Sequence, residues 1–250
     1  MLKIRAPSVI ALQEAPDALE SGTPLLRDYA IRRSRRNMVT AFRTSDWTPS
    51  AAVYNEDVSR YATWSTATFD ATGDTLDFVN VHLPSRAKED NPESTLRGIL
   101  RGVSESRYSF TDAVRTIWVG DFNMDPWAEE FVSPEYLCAG RCPDTSARLA
   151  KGPHESPSPM FSPSWSLVGS HGKPRGTYYY EAALKERRFS GEPWHVFDLI
   201  ALPIHYATSD CHSEIISSVG TCALSTGSAP HVPEATIGSD HFPVITFLSL

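Results

Sequence analysis

The chain lacks the features that mark membrane, secreted and nucleic-acid-coating proteins. No uninterrupted apolar run approaches about 18 residues, so the sequence predicts no membrane-spanning helix. No charged-then-apolar leader is visible, and we expect a cytoplasmic protein without a membrane partner. The formal net charge of -7 excludes the basic excess of a protein that coats nucleic acid. It does not exclude an enzyme acting on nucleic acid, because a bound metal and a few arginines can hold phosphates.

Cysteine is scarce as well. The 250 residues contain four cysteines, which are Cys138, Cys142, Cys211 and Cys222. This number is too small for a disulfide scaffold at this length, and the spacing is too irregular for an ordinary zinc site. We therefore favour free thiols over a disulfide or structural zinc. Hydrophobic residues make up 41% of the chain, which is enough for a substantial core.

The hydrophobic pattern is that of a strand-rich α+β domain. β-Branched and aromatic stretches predict strands at residues 9–13, 38–43, 61–69, 76–82, 116–120, 176–180, 196–202 and 244–248. Apolar residues at helical spacing predict a helix from 91 to about 108, and Pro126 suits the start of a second, short helix. We predict one domain spanning residues 1–250, built from two mainly antiparallel sheets with helices outside. A segment rich in proline and serine, at about 138–164, is expected to be a surface excursion.

Three strand ends carry oxygen ligands or imidazole, which suits a divalent-metal site for phosphate cleavage. Glu14 closes the first apolar strand and is a candidate ligand for Mg²⁺, with Mn²⁺ as the alternative. Asp121 and Asn123 lie two residues apart on an extended segment, so both side chains point the same way. Such a carboxylate can deprotonate water while the amide holds water or phosphate. For each motif alone, a solvated glutamate or a turn-forming Asp-x-Asn remains the alternative.

Histidines and further acids complete the candidate set. His82 ends the strand at 76–82, and Asp240-His241 precedes the last strand. An acid next to an imidazole suits metal binding and phosphate stabilisation respectively. Asp198 is the one charged residue in an apolar run, and burying it requires a partner. It is therefore the candidate that orients the His241 ring.

A dense positive segment follows the first strand. Arg32, Arg33, Arg35 and Arg36 lie within five residues and are candidate phosphate-binding residues. The alternative is a solvated hairpin turn between two strands.

The order of these motifs resembles the endonuclease/exonuclease/phosphatase superfamily, which includes DNase I-like and exonuclease III-like enzymes. The matching segments are residues 10–14 (Ile-Ala-Leu-Gln-Glu), 80–83 (Asn-Val-His-Leu), 119–123 (Val-Gly-Asp-Phe-Asn), 197–200 (Phe-Asp-Leu-Ile) and 238–241 (Gly-Ser-Asp-His). Residues 176–180 (Gly-Thr-Tyr-Tyr-Tyr) resemble a bacterial subgroup. The resemblance implies a four-layer α/β/β/α sandwich with the site at one rim of the two sheets.

The resemblance also implies roles for the site residues. Glu14 would bind the metal and Asp240 would assist it. Asp121 and Asn123 would position the attacking water and the phosphate. His241, paired with Asp198, would stabilise the scissile phosphate, and His82 would contact it from the other side.

One departure from the family pattern concerns the beginning of the chain. The family starts with a strand that carries asparagine, followed by a helix, before the strand that ends in Gln-Glu. Here Val9 lies only eight residues after Met1, and residues 2–5 resemble the end of that helix. We expect an open sheet edge beside residues 9–14, and we favour a truncated start over a natural loss of the strand.

The function expected from sequence is Mg²⁺-dependent phosphodiester hydrolysis, with DNA or RNA as the substrate. One alternative is a catalytically weakened member that binds nucleic acid or a protein. Another is an enzyme that acts on a small phosphorylated molecule.

Overall fold

A computed structural model is the basis for the description of the fold. It describes residues 6–16, 19, 26–34, 37–50, 60–85, 94–96, 98–99, 115–133, 137–141, 160–167, 175–179, 194–208, 210–219, 222–225, 233 and 239–248.

Two sheets dominate these residues. The smaller sheet has the order β1–β3–β2 and consists of β1 (Val9–Leu12), β2 (Tyr29–Arg33) and β3 (Val39–Arg43). The larger sheet has seven strands: β4 (Trp47–Pro49), β5 (Ala62–Phe69), β6 (Asp74–His82), β7 (Thr116–Asp121), β8 (Ala139–Gly140), β9 (Met160–Phe161) and β12 (Asp198–Pro203). Their order is β4–β5–β6–β7–β12–β9–β8, antiparallel except for β6–β7 and β8–β9.

Three smaller pairs complete the strands. They are β10 (Tyr178–Tyr179) with β11 (Trp194–His195), β13 (His212–Ile215) with β16 (Val244–Phe247), and β14 (Ser218–Val219) with β15 (Cys222–Ala223). Short 3-10 helices follow at Pro163–Leu167 and Ile204–Tyr206. None of the helices in the described ranges is long and apolar enough to cross a membrane.

Three hydrophobic cores separate four layers. Phe42, Phe78 and Ile117 belong to the core between the two sheets. Val39 and Ala41 pack with Leu26 on the outer face of the small sheet. The outer face of the large sheet is covered by apolar side chains from helical residues 94–96 and 98–99 and from helix α1 (Glu129–Val132). The predicted α+β sandwich is therefore confirmed.

The predicted helices are present in part. Leu96 and Ile99 are buried within the helical residues 94–96 and 98–99, and the rest of the predicted helix at 91–108 lies outside the described residues. The short helix expected after Pro126 is α1. At the other sheet, β1 pairs with β3 and forms an edge among the described strands, as expected beside residues 9–14. Whether a further strand covers that edge in a longer chain stays a prediction.

The boundaries predicted for the surface excursion are wrong. Residues 137–140 and 160–164 contain buried positions, and β9 pairs with β12 inside the large sheet. The buried Ser162 Oγ donates to Ile200 O at 2.6 Å, and Ser164 Oγ accepts from Ile200 N at 3.0 Å. The serines that suggested a surface loop thus hydrogen-bond to the backbone of a central strand. Residues 142–159 lie outside the described residues.

Cys138 and Cys211 are buried and form no disulfide in the described part of the chain, and burial raises the pKa of the Cys211 thiol to about 11. A buried thiol with a raised pKa stays protonated and is a poor metal ligand.

Candidate active site

Strand alternation places the candidate residues in one row at the rim between the sheets. His82, Asp121 and Asp198 have the same parity as the residues of β6, β7 and β12 that face the inter-sheet core. His82 is the register partner of Asp121, which is in turn the partner of Asp198. Neighbouring strands lie about 4.8 Å apart, so the three side chains are adjacent in space.

Asn123 fixes the carboxylate of Asp121. Its backbone N–H donates to Asp121 Oδ1 at 2.8 Å, and its side-chain amide donates to Asp121 Oδ2 at 3.0 Å. The same amide donates to Leu83 O at 2.7 Å. Asn123 adopts a positive φ of 48°, a conformation that asparagine tolerates better than most residues. The Asp-x-Asn segment therefore forms the compact turn considered above, and that turn sits in the candidate site.

Asp121 is a buried acid with unusual electrostatics. Burial raises its pKa to about 7, and the negative charge of Asp198 adds to the increase. His241 and the backbone N–H of Asn123 act in the opposite direction, while Asp240 raises the pKa further. A carboxyl with a pKa near neutrality is suited to accept a proton from water.

His241 and Asp198 form a close pair. His241 Nδ1 lies 2.8 Å from Asp198 Oδ2. Burial lowers the pKa of His241, but the hydrogen bond and charge of Asp198, followed by the charges of Asp121 and Asp240, outweigh it and raise that pKa to about 9. The imidazole is therefore positively charged at neutral pH, beside two acids.

Glu14 reaches the same rim from the small sheet. Its side chain is 82% exposed, and its Oε1 lies 3.9 Å from His82 Nε2. His82 Nε2 also lies 3.7 Å from Asp121 Oδ2. His82 thus stands between one carboxylate from each sheet. The positive φ of 53° at Glu14 is uncommon for this residue type and turns the chain at the rim.

Gln13 and Asn80 join the two sheets directly below this row. Gln13 Nε2 donates to Asn80 Oδ1 at 2.6 Å. The Asn80 amide donates to Leu12 O at 3.2 Å and to Val39 O at 3.0 Å, both on the small sheet. At Gly120, with φ 138°, a Cβ would lie 2.9 Å from Gln13 Nε2 and would overlap the Val81 carbonyl. Glycine is required there because the backbone and the glutamine approach so closely.

The donor set fits a hard divalent cation. Among the described residues, no group of three or more histidine, cysteine or acidic side chains forms a ready-made metal centre. However, Glu14 and Asp121 carry carboxylates on either side of His82, and Asp240 is an exposed acid next to His241. Burial, and after it the negative charges of Asp198 and Asp240, raise the pKa of Asp121, and a nearby cation would lower it. Oxygen ligands of this kind suit Mg²⁺ or Mn²⁺ rather than zinc.

The described part of the arginine segment does not form the hairpin turn considered as an alternative. Arg32 and Arg33 belong to strand β2 rather than to a hairpin turn. Arg32 donates to Ser50 O at 3.1 Å, and Arg33 donates to Pro16 O and Leu19 O at 2.7 Å each. These guanidinium groups hold backbone carbonyls, including those of the segment after Glu14. Their binding of phosphate stays a prediction, and Arg35 and Arg36 lie outside the described residues.

Sequence reasoning missed a second histidine–acid pair. His195 Nδ1 lies 3.1 Å from Asp125 Oδ2, and Asp125 Oδ1 accepts from Val196 N at 3.1 Å. The pair connects the segment after Asn123 to the segment before Asp198. Asp125 directly precedes Pro126, and no spacing in the sequence links it to His195, 70 residues away.

Solved structures match the chain, although no family model and no curated protein does. D. rerio TDP2 complexed with single-strand DNA product is 14% identical, with 98% of this chain and 86% of that chain covered and a TM-score of 0.54. The human Nocturnin catalytic domain with bound sulfate is 16% identical, with coverages of 97% and 82% and a TM-score of 0.55. An endonuclease/exonuclease/phosphatase from Bacteroides vulgatus is 15% identical, with coverages of 97% and 85% and a TM-score of 0.52.

These identities are low, so the likeness concerns the fold. The four layers, the order of the strand-end motifs and the matches over nearly the whole chain agree with one another. The chain therefore has the DNase I-like fold of the endonuclease/exonuclease/phosphatase superfamily.

Proposed function

We propose that the protein is a divalent-metal-dependent phosphodiester hydrolase whose substrate is a nucleic acid. The observation that carries this proposal is the row of His82, Asp121, Asp198 and His241 at the rim between the sheets, in which two adjacent acids are flanked by an imidazole on each side. Such a row offers a proton acceptor and a positive charge within one site, as hydrolysis of a phosphodiester by water requires.

Asp121 is the proposed general base. Its pKa of about 7 gives it a substantial ionised fraction at neutral pH together with enough basicity to take a proton from water. Asn123 donates to both carboxylate oxygens and so restricts the rotation of the acid. An acid that is fixed before the reaction requires little reorganisation in the transition state.

The two histidines are proposed to contact the phosphate. His241 is positively charged at neutral pH and would stabilise the charge that develops on the phosphate oxygens. Asp198 holds its Nδ1 and leaves the other ring nitrogen for the substrate. His82, between Glu14 and Asp121, would contact the phosphate from the other side.

Glu14 and Asp240 are the proposed metal-binding side chains, with water completing the coordination. A bound Mg²⁺ or Mn²⁺ would neutralise phosphate charge and act as a Lewis acid. Both residues are exposed at the rim, where a hydrated cation can enter.

Nucleic acid is the favoured substrate class for three reasons. Trp127, four residues after Asn123, is 52% exposed, and an exposed indole is a surface on which a base can stack. The structural neighbour TDP2 was solved with single-strand DNA product. Arg32 and Arg33 would add positive charge near the segment that follows Glu14.

A digestion panel tests the proposal. Plasmid DNA, single-stranded DNA, RNA, an abasic duplex and a phosphomonoester are each incubated with Mg²⁺, Mn²⁺ or EDTA. We expect metal-dependent cleavage of at least one nucleic acid, abolished in Asp121→Asn. Cleavage of the phosphomonoester alone would indicate a small-molecule phosphatase. Binding of nucleic acid without cleavage under all conditions would indicate a catalytically weakened binding module.

A further inference from the structure

Thr177 is a fully buried residue with hydrogen bonds to both segments that carry the His241–Asp198 pair. It directly precedes β10 and was noted in the sequence only as part of the Gly-Thr-Tyr motif. Its Oγ1 accepts from the backbone N–H of Phe197 at 3.0 Å and from that of Asp198 at 3.3 Å. Its own N–H donates to His195 O at 2.9 Å.

The Thr177 hydroxyl serves as the hydrogen-bond acceptor for two backbone N–H groups. The chain passes from β11 to β12 between residues 195 and 198, where the N–H groups of Phe197 and Asp198 point to Thr177 rather than to a neighbouring strand. A buried N–H without an acceptor is unfavourable, so the segment would shift if the hydroxyl were removed. That shift would move the Asp198 backbone and the carboxylate it carries.

The backbone of the same residue holds the other partner. Thr177 O accepts from Phe242 N at 2.8 Å, directly after His241. Tyr178 forms a bridge with His241, and the two rings lie 4.7 Å apart. Thr177 thus contacts both of the segments whose side chains, Asp198 and His241, form the 2.8 Å hydrogen bond.

We propose that Thr177 is a positioning residue that sets the distance between Asp198 and His241. The inference rests on the proposed function for its effect on the reaction, but the geometry of the pair can be measured independently. Asp125 also holds this segment, because its Oδ1 accepts from Val196 N, and we therefore expect the segment to stay attached when the Thr177 hydroxyl is removed.

Three variants and one matched control separate positioning from general stability. Thr177→Val removes the hydroxyl with little change in shape, and Thr177→Ser keeps it. Thr177→Ala replaces Thr177→Val if the latter does not fold. The control is Thr40→Val, since Thr40 is equally buried but its hydroxyl has no hydrogen-bond partner in the described part of the chain.

The first measurement is steady-state cleavage of the substrate found in the panel. We expect kcat of Thr177→Val to fall about 10- to 100-fold, because small displacements in an active site have effects of this size, while KM changes little. Thr177→Ser and Thr40→Val should retain kcat. A loss in Thr177→Ser, or an unchanged kcat in a folded Thr177→Val, would overturn the proposal.

The second measurement does not depend on activity. The Nδ1 proton of His241 is expected as a downfield ¹H resonance, identified by its loss in His241→Gln. It should disappear or shift upfield in Thr177→Val and persist in Thr40→Val. If it is unchanged in Thr177→Val, the positioning role is wrong whatever the activity. If the wild type cleaves nothing in the panel, the proposed function fails, and this resonance still decides the role of Thr177.

Discussion

Asp121 and Asp198 are direct register partners on the antiparallel strands β7 and β12, so two acids stand side by side in the same row. Asp198 is paired with His241 at 2.8 Å, whereas Asp121 accepts from the backbone and side-chain N–H groups of Asn123. The two neighbouring acids therefore have different environments. This difference supports the proposal that Asp121 accepts the proton and that Asp198 orients the imidazole.

Asp121→Asn should abolish turnover and stabilise the metal-free protein. The amide keeps the size of the side chain but cannot accept the proton, so we expect kcat to fall about 10²–10⁴-fold. The pKa of Asp121 is raised from 3.8 to about 7 on folding, so the wild type loses stability as the pH rises between these values. The Tm gain of the variant in EDTA should therefore grow over that window and remain constant above it, at about 2–4 °C per kcal/mol.

The control for this variant is Asp28→Asn, an exposed acid far from the row in sequence. It should change neither kcat nor the pH dependence of Tm. More than a tenth of the wild-type rate in Asp121→Asn would remove Asp121 from the role of base. A variant less stable than the wild type at pH 8 would contradict its buried, unfavourable charge.

The pH dependence of kcat/KM should be bell-shaped. Activity requires ionised Asp121 and protonated His241, so it should rise towards pH 7 and fall as the pH passes about 9. A bound cation lowers the pKa of Asp121, and the acid limb should move to lower pH as the metal concentration increases. His241→Gln should lose the alkaline limb. An alkaline limb that persists in this variant would assign it to another group.

His241 and Asp198 should behave as a unit. Asp198→Ala should reduce kcat nearly as much as His241→Ala, because the imidazole loses both its orientation and its charge stabilisation. The double variant should be little worse than either single one, since residues that act together are non-additive. The measurement is a double-mutant cycle on kcat/KM. Fully multiplicative losses would mean that the two side chains act separately.

Metal binding should depend on Glu14. Glu14→Gln keeps the length of the side chain but removes its charge, so calorimetric titration with Mn²⁺ should show an affinity reduced roughly ten-fold or more. Glu129→Gln is the matched control because Glu129 is an exposed acid in the first turn of α1. Equal affinities in wild type and Glu14→Gln, or cleavage that survives EDTA, would exclude the proposed metal role.

Trp127 should contribute to affinity for single-stranded nucleic acid. Loss of a stacked base costs about 1–3 kcal/mol, so Trp127→Ala should raise Kd for single-stranded DNA by about 5- to 150-fold, and Trp127→Phe should retain most of the affinity. Phe247→Ala is the control, since Phe247 is 45% exposed on β16. Equal losses in both alanine variants would argue against a specific stacking site.

The sequence was sufficient to predict the candidate site residues that lie at the ends of strands. His82, Asp121 and Asp198 each follow or begin an apolar run, and the period of two determines which face they share. The sandwich followed from the same runs. What alternation cannot show is the register between strands far apart in sequence, which here places these side chains in one row.

This reasoning could not identify residues whose side chains hydrogen-bond to backbone groups far away in the sequence. Thr177 and Asp125 bond to amides about 20 and 70 residues away, and such contacts leave no spacing pattern. For Arg32 and Arg33, the alternative of a solvated hairpin turn was wrong for a different reason. Their charge suggested an exposed turn, but long guanidinium side chains can leave a strand and reach carbonyls at its border.

Because Glu14 follows a strand of one sheet and Asp121 belongs to the other, the width of the candidate cleft between them depends on how far the sheets slide over each other. A packed apolar interface alone resists separation better than it resists shear, since hydrophobic contact is non-directional. The buried amide of Asn80 adds direction, because it is bonded to Gln13, Leu12 and Val39 of the facing sheet. These hydrogen bonds resist sliding of one sheet over the other, and they lie one pleat below the row of candidate site residues. The alignment of the two halves of the cleft is therefore maintained from within the core, and the rim is left free for a cation and a substrate to enter.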